Sequence, residues 1–283
     1  MVLAVIAGVA WASNIVIVRW ALDRTAAPPL VAATVSVTVA AVVAAVVAVV
    51  SGQATPSSED FWRFALVGAI APGSSQGLFV ASIGMIGPSR TSVLIGTSPA
   101  WSVLLAIVFL GESWQAAVIV GTLLTIVGGA LISWEPGLDA RRVGVMLALA
   151  TALTFGIRDV VARQFNTQSD VSSWWSGAMV LSAAAVVLWM ITAVATRGKV
   201  ASGVRSALPE FLVSGLMIGL ALPFLLEALD RGRVGLVAPL SLSAQNITVV
   251  ALSSAAFGAN ERTRSVLIAL VLIIVGATLV TTA

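Results

Sequence analysis

The sequence predicts an all-α membrane protein, with ten transmembrane helices arranged as two inverted five-helix repeats. Three observations lead there. Hydrophobic residues make up 59% of the 283 positions and charged residues only 10%. The apolar residues gather into ten continuous runs, each about long enough to cross a bilayer. The second half of the chain also echoes the first when the two are laid over one another.

Composition comes first. Soluble domains are about half apolar and about a quarter charged. This chain exceeds the first figure, falls far short of the second, and has a mean hydropathy of +1.07. A soluble core of this size could not hide so much apolar surface, so the solvent for most of the chain is lipid. There is no Cys and no His. That removes disulfides, thiolate metal sites, the commonest metal ligand and the commonest general base. No cofactor and no metal are expected, and the chain does not read as an enzyme. The net charge is +3, but the basic residues are scattered singly and in pairs. No nucleic-acid partner is expected.

The ten runs are 2–22, 29–50, 61–83, 91–110, 114–134, 143–163, 172–196, 208–229, 234–257 and 264–282. Turn and charge signals separate them, among them SGQATPSSED (51–60), EPGLDARR (135–142) and NERTR (260–264). The runs are continuous and rich in Leu, Val and Ala, so they are helices and not alternating barrel strands. The first run lacks a basic leader segment and a small-residue cleavage site, and it reads as a true span.

Laying Asn14 over Arg158 places Trp11 on Phe155, Val16 on Val160 and Arg19 on Arg163. Laying Gly128 over Gly276 places LLTIVGGALIS (123–133) on VLIIVGATLVT (271–281). Gly111-Glu112 likewise matches Asn260-Glu261 with one residue of slippage. The chain thus divides into repeats 1–136 and 141–283. Five spans each is an odd number, so the halves run through the membrane in opposite directions. Secondary transporters built this way hold their site near the midplane, between the repeats.

Trp11-Ala12-Ser13-Asn14, Ser98-Pro99, Leu110-Gly111-Glu112 and the Gly-rich ends of both halves resemble the EamA-type transporters of the drug/metabolite transporter superfamily. The resemblance covers the whole chain. It implies ten helices, an inner-membrane location, and export of small metabolites or drugs. Two departures stand out. Family members often carry an Arg in span two soon after a Pro, whereas Pro29 here is followed by LVAATVSVTVAAV. The second half also has Ser243-Ala244-Gln245-Asn246 in place of a Ser-Pro.

The candidate site is built from polar and aromatic residues deep in the runs. Counted from Arg142, Arg158 lies about 24 Å along its helix. A charge at the centre of an isolated span costs about 2.5–3.5 kcal/mol, so such a residue faces the bundle interior or snorkels to the surface. Its repeat counterpart Asn14 shares a helix face with Trp11, and Phe155 is the counterpart of Trp11. In span three, Pro72 and Gly73 should break the helix beside Ser75, Gln76 and Phe79. In span four, Ser98 and Trp101 flank Pro99. In span nine, Gln245 and Asn246 either join the cavity or lock two helices. Asp159 and Arg163, four apart, are expected to pair at the cavity rim. Glu227 either pairs with Arg231 or serves as a coupling carboxylate. Glu112 reads as a turn residue. The glycines of spans five and ten (Gly121, Gly128, Gly129, Gly276) permit close helix approach, within the chain or at a dimer face.

The expected partners are a small-molecule substrate and the lipid bilayer, with the protein a monomer or homodimer. An inward Arg158 favours a carboxylate-bearing solute such as an amino acid, and span one lacks the carboxylate a carrier of lipophilic cations would show. Export of drugs or cations, or a lipid flippase on the same scaffold, is the alternative. Orientation is read two ways. Loops after odd-numbered spans hold nine Lys and Arg against four in the others, which places both termini outside. The family resemblance implies both termini in the cytoplasm.

Overall fold

The computed structural model describes residues 1–282 except 26, 111–115, 134–141, 167–168, 170, 198–200 and 232–233. Side chains are described except at 103, 106, 110, 118, 133, 163–164, 166, 201–203, 205–206, 229–231, 234–236, 238–239 and 280–282. Among the described residues all regular structure is helical. The helices are α1 (Val2–Arg24), α2 (Pro29–Val50), α3 (Ser58–Gly68), α4 (Gln76–Ile86), α5 (Pro88–Ile95), α6 (Ser98–Leu110), α7 (Ala116–Ser133), α8 (Arg142–Asn166), α9 (Ser173–Ala195), α10 (Ala201–Arg231), α11 (Val234–Phe257) and α12 (Arg264–Thr282). Eight helical segments among the described residues are long and apolar enough to cross a membrane. Two shorter apolar helices, Ile119–Ile132 and Arg264–Leu279, lie where the fifth and tenth runs were expected. Glu112 falls outside the described residues.

Span three is broken where its sequence says it should be. α3 ends at Gly68, and Ala71 takes an extended conformation (φ −153°, ψ 131°) before Pro72 and Gly73. Pro72 cannot donate a backbone hydrogen bond, so the ladder is interrupted. Ser74 repairs part of it by donating its hydroxyl to the Ile70 carbonyl. Span four is also in two pieces. α5 stops at Ile95, and Thr97 donates both its amide and its hydroxyl back to the Leu94 carbonyl before α6 begins.

Small residues line much of the buried helix surface, beside fully buried large ones such as Ile15, Ile83 and Phe211. On α2 the enclosed face holds Ala32, Ala33, Ala40, Ala44 and Ala48, while Val42, Val46, Val49 and Val50 point outward. Lipid tails compete equally well for Val, so helix association gains little from burying it. Small residues let backbones approach closely. Gly215 and Gly219, four apart on α10, do this against α2. A Cβ on Gly215 would stand 2.5 Å from the Val39 Cβ, and one on Gly219 would stand 2.8 Å from the Ala40 carbonyl oxygen.

The tightest helix pairs join the first half of the chain to the second. α7 packs on α12, α1 and α2 on α10, α2 on α9, and α1 on α11. Gly121, Gly128 and Gly276 are buried between α7 and α12 within one chain, and Gly129 faces Thr97. A Cβ on Gly276 would come within 2.5 Å of the Gly121 carbonyl oxygen, and one on Gly128 within 2.7 Å of Ile273.

Side chains meet backbone groups at the ends of α3, α4 and α5. Ser57 accepts a hydrogen bond from the Asp60 amide at the start of α3. Arg19 donates to the Gly84 carbonyl at 2.7 Å near the end of α4, where positive charge meets the negative helix pole. The Glu261 carboxylate is buried and accepts from the Ser89 amide at the start of α5. It lies so near Gly87 (φ +89°) that a Cβ there would meet it at 2.3 Å.

Candidate functional site

The candidate residues fall into three groups. In the first, α6 and α8 meet face to face. Gly156 makes the approach possible, since a Cβ there would sit 2.7 Å from the Trp101 Cβ. Next to this contact the Arg158 guanidinium grips Asp159 Oδ1 with Nε at 2.9 Å and Nη2 at 2.6 Å. Asp159 Oδ2 accepts a bond from Ser102 of α6 at 3.3 Å. The guanidinium also lies over the Phe155 ring, 4.7 Å from its centroid, a favourable placement of a cation on an aromatic face. The Arg158 side chain is 25% exposed and that of Asp159 41%.

The sequence suggested an Asp159–Arg163 pair. Asp159 is engaged by its neighbour Arg158, and the expected partner Arg163 has its side chain outside the described residues. This changes the electrostatics. A lone Arg158 would give the site positive charge. The pair makes it a dipole with both poles open, and the partner carboxylate lowers the cost of placing a guanidinium deep in a span.

Phe155 links this group to an aromatic wall. Phe79 of α4 belongs to the principal core cluster, and Trp11 and Phe155 pack against it partly buried. Trp11, Phe79 and Phe155 therefore belong to the same extended core, and Phe155 is the one with a described contact to the ion pair. Trp101 and Ser98 are partly buried on α6, and Ser98 contributes its carbonyl to Ser102.

The second group is enclosed. Asn14 has no exposed surface, and its Oδ1 accepts from Ser214 of α10 at 2.7 Å. Ser214 in turn lies 2.9 Å from Ser36 of α2. Asn14 thus ties three helices together, while its Nδ2 has no partner among the described residues. Ser75 Oγ and Gln76 Nε2, beside the break in span three, are likewise buried without a described partner.

The third group lies between α5 and α11. Asn246 is fully buried, and its Oδ1 accepts from Ser92 at 2.5 Å. Ser89 and Ser253 share a hydrogen bond one turn further along. Asn246 therefore locks two helices, the second of the two roles its sequence position allowed. Gln245 is partly buried at the close approach of α1, where Gly8 faces the Gln245 amide. Glu227 is partly buried on α10 and engaged by a neighbouring group. The Arg231 side chain is outside the described residues.

Sequence reasoning missed Ser36, Ser92, Ser102 and Ser214. Single serines in apolar helices carry no spacing signal, because a Ser can equally donate to the carbonyl four residues back.

Comparison with known proteins fits this architecture. Residues 1–134 match the EamA-like transporter family. A "Probable terminal-alkyne amino-acid exporter" from Streptantibioticus cattleyicolor is 30% identical over 135 residues, which are 46% of each chain. "Glucose-6-phosphate/phosphate translocator 1, chloroplastic" from Arabidopsis thaliana is 26% identical over 145 residues, 51% of this chain and 37% of its own. The matches thus span about half or less of these curated relatives. A protein of known crystal structure shares the fold over 98% of this chain and 95% of its own, with a TM-score of 0.65 and 19% identity. The first half of the chain thus matches the EamA-like transporter family, and the eight helical segments long and apolar enough to cross a bilayer make the protein a multi-pass membrane protein.

Proposed function

We propose that the protein is a secondary transporter of the inner membrane that exports amino acids or related carboxylate-bearing solutes by alternating access. The carrying observation is the Arg158–Asp159 pair, both members partly exposed, beside Phe155. A zwitterionic amino acid has the matching charges. Its carboxylate can take the guanidinium and its ammonium the carboxylate, so binding exchanges one ion pair for two and leaves no charge unpaired. Trp11, Phe79 and Phe155 would take an apolar side chain.

The two shorter apolar helices would complete ten spans in two inverted five-helix repeats, 1–136 and 141–283. The amino-acid exporter among the relatives supports the substrate class. The translocator supports a site that accepts an anionic group.

The test is transport by purified protein in proteoliposomes with labelled amino acids, organic acids and lipophilic cations, wild type beside Arg158→Ala. Movement of carboxylate-bearing solutes that Arg158→Ala abolishes, with folding intact, supports the reading. Movement of cations alone, or transport indifferent to Arg158→Ala, overturns it in favour of a drug exporter.

A further inference from the structure

A groove of about 620 Å³ opens sideways between α11 and α12, away from the candidate site. Its walls are Ile247, Val250 and Ala251 on α11 and Leu267 and Leu270 on α12. Val250 and Leu270 form its floor, at 7% and 9% exposure, while Ile247 and Leu267 stand at its open edge. Two polar groups lie toward one end. Ser254 lines the groove with a buried hydroxyl that has no partner among the described residues. Arg262 lines its end, exposed, in the short helical turn after α11. Arg262 has no carboxylate partner among the described residues, and Glu261 next to it is committed to the Ser89 amide.

Depth decides what fits. From Ile247 to Ala255 the apolar stretch runs about 12 Å along the helix. One leaflet of hydrocarbon is about 15 Å thick. α11 ends at Phe257, so Arg262 lies at the membrane surface and Ser254 about 4.5 Å inside the helix end. A basic group at the surface and an apolar channel about one leaflet deep match two parts of one molecule, a headgroup phosphate and an acyl chain.

We infer that the α11–α12 groove is a binding site for an anionic glycerophospholipid, with its phosphate on Arg262 and one chain along Ala251 and Leu267. Lipid is the occupant because the groove opens toward the bilayer and its polar end is cationic. The site is independent of the transport reading.

The test is native mass spectrometry of the whole detergent-solubilised protein, titrated with phosphatidylglycerol, phosphatidylcholine and inorganic phosphate. Variants Arg262→Gln, Arg262→Lys and Ala251→Trp are compared with wild type, with thermal melting as the folding check. Wild type should retain phosphatidylglycerol about fivefold over phosphatidylcholine. Arg262→Gln should erase that preference and Arg262→Lys keep most of it. Ala251→Trp, which fills the channel, should weaken both lipids. Equal retention of the two lipids by wild type overturns the inference. So does an unchanged preference in Arg262→Gln, or displacement of the lipid by inorganic phosphate. If Arg262→Gln does not fold, unchanged lipid retention in Ala251→Trp overturns it alone.

Discussion

Arg158 and Asp159, neighbours on α8, bind each other through two contacts to one carboxylate oxygen, and the same guanidinium rests on Phe155. Consecutive helical residues point in different directions, so the pair forms only because the long Arg side chain turns back along the surface. Asp159→Asn removes the negative pole and leaves Arg158 charged. Uptake of a zwitterionic amino acid into proteoliposomes should then fall about tenfold, the scale of one charged hydrogen bond. A monoanion lacking the ammonium should move as well as before or better. Equal loss for both solutes would mean that Asp159 acts on folding and does not contact the solute.

Asn14 and Ser214 carry a hydrogen bond between α1 and α10 in a fully enclosed setting. Polar contacts of this kind in membranes average about 0.6 kcal/mol of coupling and reach about 1.7. A double-mutant cycle of Asn14→Ala and Ser214→Ala, read by thermal unfolding in detergent, should show non-additivity in that range. Strict additivity would show that the bond does not stabilise the fold.

Gly276 and Gly84 offer a matched comparison. A methyl on Gly276 would run into backbone of α7 at 2.5 Å, whereas one on Gly84 would make ordinary contact with Leu22 at 3.4 Å. Gly276→Ala should lower stability by about 1–3 kcal/mol, the usual cost of overpacking. Gly84→Ala should be neutral or gain a few tenths through helix propensity. Melting temperatures that rank the two variants the other way would contradict the close approach of α7 and α12.

Glu261 holds the first turn of α5 from the second half of the chain. Glu261→Ala should cost about 0.5–2 kcal/mol, as loss of a capping group does. Glu261→Gln keeps an acceptor and should recover most of it. A stability equal to wild type in Glu261→Ala would remove the contact from any role in holding the halves together.

Eight spans were legible because 20 apolar residues in a row have one physical meaning. The break at Pro72-Gly73 was legible because Pro lacks a donor. The glycine contacts of spans five and ten could be read as close approach, though not as contact with each other within one chain. What hydropathy could not give was which face of each helix is inside. Ala48 and Val49 are both apolar, yet one is buried and the other bare. The Gly215–Gly219 contact on α10 went unread for the same reason. Within the site, the sequence singled out Arg158, Asp159 and Phe155, but spacing pointed only to Arg163 as a partner for the acid and gave no sign of the Arg158 contact. The i,i+4 rule describes which Cβ atoms lie close, and a side chain as long as Arg is not bound by it.

The pairing of early helices with late ones has a consequence for biosynthesis. α1 and α2 find their closest partners in α9, α10 and α11. When the first half has left the ribosome, its narrow alanine faces therefore have nothing of their own kind to meet and stand against lipid. The chain must insert first and assemble afterwards, as helices already in the bilayer find one another. Two fragments made separately, cut between α7 and α8, should meet in the membrane and form the same bundle.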